Sequence, residues 1–190
     1  MPTYRVLFTK FAESLVMPYD DVMLPPETTA GDFEAEMAIV IGTSIRRARR
    51  EDAVSAIAGV TVANDVTMRD FQCRTPQWLQ GKSWEGTTPL GPALVTLDEV
   101  DLASGLEVSS MLKRDRDARA STASMIFDVP TIVARASEFI TLHPSDVILT
   151  GTPGGVGDFR DPSVRLHDGD VLRTELTGVG LLENRVVSES

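Results

Sequence analysis

The stretch GDFEAEMAIVIG, residues 31–42, decides how the rest of the chain is read. Asp32, Glu34 and Glu36 take every second position, and an uninterrupted apolar run follows them. In a β-strand side chains alternate between two faces, so the three acids point one way while Phe33, Ala35 and Met37 point the other. Same-face neighbours stand about 6.5 Å apart along a strand, where like charges repel unless water or a cation intervenes. A solvated face on an edge strand meets that demand. So does a buried place that holds a cation.

Similar short runs recur along the chain. YRVLF (4–8), EMAIVIG (36–42), AGVTVAND (58–65), GPALVTL (91–97), LEVSSML (106–112), DVILTGT (146–152), DVLRTELTG (170–178) and GLLENRVV (180–187) are rich in Val, Ile, Leu and Thr. Gly, Pro and Asp punctuate them, which is the pattern of strands and turns. Helices are fewer. REDAVSAIAG (50–59) carries Ala53, Val54, Ile57 and Ala58 at helical spacing and ends at Gly59. VPTIVARASEFITL (129–142) sets Ile132, Val133, Ala136, Phe139 and Ile140 on one stripe, with Pro130 near its start. VTMRDFQ (66–72) has room for a turn or two, and the alternating charges of KRDRDAR (113–119) mark an exposed hairpin connection. The expected fold is mainly β (α+β) with two or three short helices, in a single domain over residues 1–190. With 190 residues, 42% of them hydrophobic, the chain has length enough for one sizeable core.

Charge and cysteine count narrow the function. A net charge of −10 argues against a nucleic-acid or anionic-membrane surface, either of which needs a basic footprint. The four arginines of IRRARRED (45–52) are followed at once by acids and read as a solvated helix entry. A single cysteine, Cys73, excludes an internal disulfide and suits a reducing compartment. No signal-peptide pattern opens the stretch and nowhere do 18 apolar residues run together, so a cytoplasmic location is expected. His143 and His167 sit in polar turn-like contexts, poor partners for a nucleophilic Cys73.

Several familiar motifs fail on inspection. GKS (81–83) resembles the end of a phosphate-binding loop, but the glycine required at position 76 is a proline. GTPGGVG (151–157) lacks the G-x-G-x-x-G order and no helix clearly follows it. What remains are polar residues at the ends of apolar runs. Asp65 closes a strand and either caps the following turn or joins the acids. Lys82 lies between Trp78 and Trp84, the chain's two tryptophans. The glycine-rich loop beginning at Gly151 is a tight turn or a cradle of backbone N–H groups with the Thr150 and Thr152 hydroxyls. Two glutamates on one strand face and an aspartate at another strand's end make three hard oxygen donors, suited to Mg²⁺ or Mn²⁺. A lysine and an anion cradle beside them would hold a carboxylate-bearing substrate on that metal.

The segments DFEAEMAIVIG (32–42), GVTVANDVTMRDFQ (59–72), QWLQGKS (77–83), PLGP (89–92), ILTGTPGGVG (148–157) and GVGLLEN (178–184), in that order, resemble the fumarylacetoacetate hydrolase family across nearly the whole chain. The resemblance implies a mixed β-roll or β-sandwich, a homodimer, and action on small 2-oxo or β-dicarbonyl acids through a metal-stabilised enolate. By position it makes Glu34, Glu36 and Asp65 the ligands of Mg²⁺ or Mn²⁺ and Lys82 the catalytic cation. Thr152, beside Gly151, falls where the family contacts the substrate carboxylate, and Asp32 is a structural part of the pattern. The family's upstream G-x-N-Y-x-x-H-x-x-E segment, whose His/Glu pair supplies acid–base chemistry for hydrolysis, has no equivalent in these residues. The hairpin KRDRDARASTASM (113–125) also departs from the family, with Arg119 where glutamine is common and Ser124 where aspartate is common. Decarboxylation or isomerisation is therefore expected over C–C hydrolysis. A family-fold protein that binds metal or metabolite without catalysis is the rival.

Overall fold

Strands dominate because β-branched and aliphatic residues alternate with polar ones along most of the chain. The computed structural model describes residues 4–112 and 115–189. In chain order its elements are β1 (Leu15–Val16), β2 (Val22–Leu24), β3 (Gly31–Asp32), β4 (Ala35–Ile41), α1 (Arg50–Ala53), β5 (Ile57–Asn64), β6 (Thr67–Met68), α2 (Arg69–Gln72), α3 (Leu79–Lys82) and β7 (Thr88–Thr96). There follow β8 (Glu107–Leu112), β9 (Asp115–Ser121), α4 (Val129–Phe139), β10 (Val147–Leu149), β11 (Val171–Leu176) and β12 (Gly180–Ser188). One five-stranded sheet has the order β1-β7-β5-β4-β10 and a second β2-β12-β11-β8-β9, while β3 and β6 pair by themselves. Pairing is mixed: β1–β7 and β2–β12 run parallel, and the other ladders are antiparallel.

The two large sheets pack face to face, β11 against β4 and β5, β12 against β5 and β7. Met37, Ile39, Val60 and Val62 from the first meet Val108, Leu176 and Leu182 from the second. Helix α4 lays Ile132, Val133 and Ala136 on the same core. Asp128 caps it by accepting the Thr131 N–H at 3.0 Å. A second apolar cluster gathers Phe33, Val66 and Met68 with Val22, Leu172 and Val186. Between the sheets, Asn64 Nδ2 donates to Thr174 Oγ1 at 2.8 Å while Asn64 Oδ1 accepts the Glu34 N–H at 2.9 Å. One buried amide thus ties the second sheet to the acidic strand.

The expected strands at 36–42, 58–65, 91–97, 106–112, 146–152, 170–178 and 180–187 all appear. YRVLF does not form one: residues 4–8 are irregular, and Tyr4, Val6 and Leu7 are exposed. The helix expected over residues 50–59 ends early. Ile57 and Gly59 lie in β5, where a Cβ on Gly59 would stand 2.2 Å from the Val95 carbonyl oxygen, so this glycine serves a close strand approach and stops no helix. Phe139 and Ile140 do not continue the α4 stripe and are exposed at its end. Among the described residues there are four α-helices, and the one not expected, α3, carried no apolar periodicity to reveal it. Lys113 and Arg114 of the charged connection lie outside the described residues; Asp115–Ser121 forms β9 of the hairpin.

Three of the four arginines of residues 45–52 are spent locally. Arg46 donates to the carbonyls of Ser137 and Glu138 at the end of α4, Arg49 pairs with Asp52, and Arg50 with Asp128. No helix among the described residues is long and apolar enough to cross a membrane.

Candidate metal centre

The antiparallel register of β4 and β5 builds the site. Ala35 faces Asn64 and Glu36 faces Ala63, so the next pair outward is Glu34 opposite Asp65, and the Asp65 N–H donates to the Glu34 carbonyl at 2.8 Å. Glu36 shares a strand face with Glu34. Ligand oxygens of Glu34, Glu36 and Asp65 all lie within 4.8 Å of one another, and all three residues are buried. A solvated edge strand is excluded, since β4 is an inner strand and the acids are sealed from water. Nor do the acids lie on one continuous strand. Residues 33–34 separate β3 from β4, and Asp32 belongs to the small β3–β6 pair.

Buried like charges need compensation. Lys82, from the last turn of α3, is 2% exposed and donates to Glu34 Oε2 and Asp65 Oδ2, each at 2.8 Å. Arg69 lies 2.6 Å from Glu34 Oε1, and Lys10 donates to Asp65 Oδ1 at 2.5 Å. Lys10 also donates to the Lys82 carbonyl, fastening the N-terminal segment over the site. All four carboxylate oxygens of Glu34 and Asp65 thus meet a cationic group. Glu36 does not. Its Oε2 accepts the Gly151 N–H at 2.5 Å, and it has no ion pair among the described residues. Burial, then the charges of Asp65 and Glu34, push its carboxyl well above the usual glutamate range; Gly151 and Lys82 oppose this without cancelling it. Burial pulls Lys82 down, but Asp65 and Glu34 more than offset it, so its pKa is raised and its ammonium form favoured.

Asp32, Glu34, Glu36 and Asp65 face Lys10, Arg69 and Lys82, four acids against three cations. The donor set is all carboxylate oxygen, and with all four acids ionised one negative charge is left uncompensated. It fits a hard divalent cation.

The glycine-rich loop borders the cluster. Gly151 supplies the N–H on Glu36, and Thr150 anchors the loop start by donating its N–H and hydroxyl to the Met37 carbonyl at 3.1 and 2.8 Å. The Thr152 hydroxyl oxygen is buried with no hydrogen-bond partner among the described residues. Such a group costs stability unless a ligand satisfies it. Of the two tryptophans beside Lys82, Trp84 stacks edge-on against Phe71 and Trp78 tilts against Phe8; the Lys82 ammonium lies over the Phe8 ring, 5.3 Å from its centroid. Arg119 pairs with Glu107, and the Ser124 hydroxyl donates to the Ser121 carbonyl, so both hairpin departures are engaged within the hairpin. Both histidines are exposed at turns.

Lys10 and Arg69 were not singled out from the sequence. Arg69 had a signal, four residues after Asp65 and at the head of a short helix. Lys10 had none, because only the chain's path brings residue 10 beside residue 65.

Glu36→Gln keeps an acceptor for the Gly151 N–H and removes a carboxyl whose ionisation the site opposes. In chelator at neutral pH this variant is expected to melt above the wild type, by about 2–4 °C for each kcal/mol of repulsion relieved, while losing the stabilisation by Mg²⁺ or Mn²⁺ expected of the wild type. A chelated variant melting at or below the wild type would show that Glu36 carries no such strain.

Residues 1–187 match the family model described as fumarylacetoacetate (FAA) hydrolase C-terminal. A human mitochondrial oxaloacetate tautomerase is 43% identical over 189 residues, 98% of this chain and 60% of that protein. The chain spans about 60% of the length of the curated relatives it matches. Among solved structures, fumarylacetoacetate hydrolase from Exiguobacterium antarcticum superposes with a TM-score of 0.92 at 40% identity, over 97% of this chain and 66% of that one. The 2-hydroxyhepta-2,4-diene-1,7-dioate isomerase from Mycobacterium marinum gives 0.91 at 38%, over 100% and 71%. With the family model covering almost every residue and the two-sheet fold shared, this chain belongs to the fumarylacetoacetate hydrolase family.

Proposed function

We propose that the protein is a divalent-metal-dependent tautomerase or isomerase of small 2-oxo acids, with Glu34, Glu36 and Asp65 holding Mg²⁺ or Mn²⁺. The observation that carries this reading is the buried triad with an uncompensated charge at Glu36, bordered by the Lys82 ammonium and the unsatisfied Thr152 hydroxyl. The bound cation would supply Lewis-acid polarisation of a 2-oxo group. The chain's own residues do the rest. Thr152 Oγ1 offers a hydrogen bond to a substrate carboxylate oxygen, and the Gly151 backbone sets that oxygen's distance from Glu36. Lys82 Nζ holds a proton among the acids and can deliver it to the enolate as charge develops. Tautomerisation asks only that a proton pass from the carbon beside the 2-oxo group to solvent and that one arrive on oxygen from Lys82, which solvent then reprotonates, or the reverse. No bond between heavy atoms breaks and no water is consumed. A tautomerase and an isomerase among the relatives support this reaction class; decarboxylation through the same enolate is its neighbour.

The exposed apolar side chains of the N-terminal segment, Tyr4, Val6, Leu7, Phe11, Met17 and Tyr19, are assigned to contact with a second copy of the chain. The exposed free thiol of Cys73 suits a reducing compartment such as the cytoplasm.

The test is keto–enol interconversion of oxaloacetate, followed by enol absorbance with Mg²⁺ or Mn²⁺ present and compared with hydrolysis of an acylpyruvate. Tautomerisation is expected to be the faster reaction, and Lys82→Met to slow it by about 10²–10⁴-fold with Mn²⁺ still bound. Faster acylpyruvate hydrolysis, or unchanged turnover in Lys82→Met, would overturn the reading.

A further inference from the structure

Asp32 is the most heavily bonded side chain near the centre, yet it is no part of the triad. It is fully buried. Its Oδ1 accepts the N–H groups of Phe33 at 2.8 Å and Gly157 at 2.9 Å. Its Oδ2 accepts the Asp158 N–H at 3.0 Å and Arg69 Nε at 2.8 Å. A Cβ on Gly157 would stand 2.0 Å from the Val164 carbonyl oxygen and 2.6 Å from Asp32 Oδ1, so the loop closes on this carboxylate only with glycine there. The glycine-rich loop is therefore fastened to the acidic strand at both ends, by Gly151 on Glu36 and by Gly157 and Asp158 on Asp32.

The Arg69 guanidinium is shared. Its Nη2 lies 2.8 Å from Asp32 Oδ2 and 2.6 Å from Glu34 Oε1, and its Nη1 donates to Gln72 Oε1 at 2.8 Å. Glu34 already meets the Lys82 ammonium through its other oxygen. A carboxylate that fully neutralised two cations would have little charge left for a third. Asp32 takes up the charge of Arg69 from the far side through Nε, while the buried Nη2 lies close to both carboxylates without hydrogen-bonding either.

We infer that Asp32 is a positioning residue for the cation site: by sharing Arg69 it limits how far that guanidinium neutralises Glu34, and so preserves Glu34 as a ligand. The inference rests on the metal reading above. In Asp32→Asn the side chain has one carbonyl oxygen, which can satisfy Gly157 and Phe33, while its amide would point donors at Asp158 N–H and Arg69 Nε. Arg69 then turns its charge wholly onto Glu34.

The test is Mn²⁺ affinity of the purified chain, measured by titration with electron paramagnetic resonance of free Mn²⁺, in the wild type, Asp32→Asn, Arg69→Met and the double variant. Asp32→Asn is expected to weaken binding by about tenfold or more. Arg69→Met is expected to tighten it, because Glu34 loses a competitor. In the Arg69→Met background the Asn substitution should change affinity by less than about threefold, the mark of two residues acting through one contact. Equal losses in both backgrounds would mean that Asp32 only fastens the loop, and would overturn the inference, as would wild-type affinity in Asp32→Asn. Should Asp32→Asn not fold, Arg69→Met alone decides, since unchanged or weaker binding there contradicts competition for Glu34. A wild-type chain that takes up no Mn²⁺ sinks the metal reading and this inference together, whereas normal wild-type binding with no coupling sinks the inference alone.

Discussion

Four carboxylates are buried within a few residues of one strand, and the surrounding structure is arranged around keeping them there. The one-to-one register of β4 and β5 sets Glu34 opposite Asp65 and puts Glu36 on the same face. Repulsion in a place sealed from water is too costly to leave unanswered. Three remote parts of the chain answer it: Lys10 from the N-terminal segment, Arg69 from the head of α2, and Lys82 from α3. The glycine-rich loop adds backbone N–H groups at Gly151, Gly157 and Asp158. Sheets, loop and N-terminal segment all converge on one electrostatic problem, and Glu36 is the part of it that the protein's own groups leave unsolved.

The residual charge is where stability and function part company. A cluster optimised for the metal-free fold would carry a neutral residue at position 36, and a fully paired cluster would have nothing to offer a cation. Strain stored at a functional site and offset elsewhere is a general pattern. The well-packed interface of the two sheets, with Met37, Val60, Leu176 and Leu182 at its centre, is the natural source of the offset.

Much of this was legible in the sequence because its causes are local. Alternation at 31–42 disclosed both the strand and the acids, and the turn after Asn64 placed Asp65 at a strand end. The elements that escaped depend on distant contacts. YRVLF has strand composition, yet residues 4–8 find no pairing partner among the described residues, and the segment is held by Lys10 reaching Asp65 and Lys82. Ile57 fits a helical stripe equally well, but α1 passes into a 3-10 turn over Val54–Ala56, and the pull of β5 pairing with β4 and β7 ends it there. Asp32 reads as one more acid on a strand, whereas its four donors come from residues 33, 69, 157 and 158, which only the fold brings together. Single-residue chemistry was therefore readable, and the network that tunes it was not.

The central claim is that Glu34, Glu36 and Asp65 form one cation site. Anomalous diffraction from crystals grown with Mn²⁺ tests it most directly. The account predicts a single strong peak in bonding contact with a carboxylate oxygen of each of the three residues, with Asp32 outside that contact. A peak elsewhere, or none among these carboxylates at saturating Mn²⁺, would contradict it.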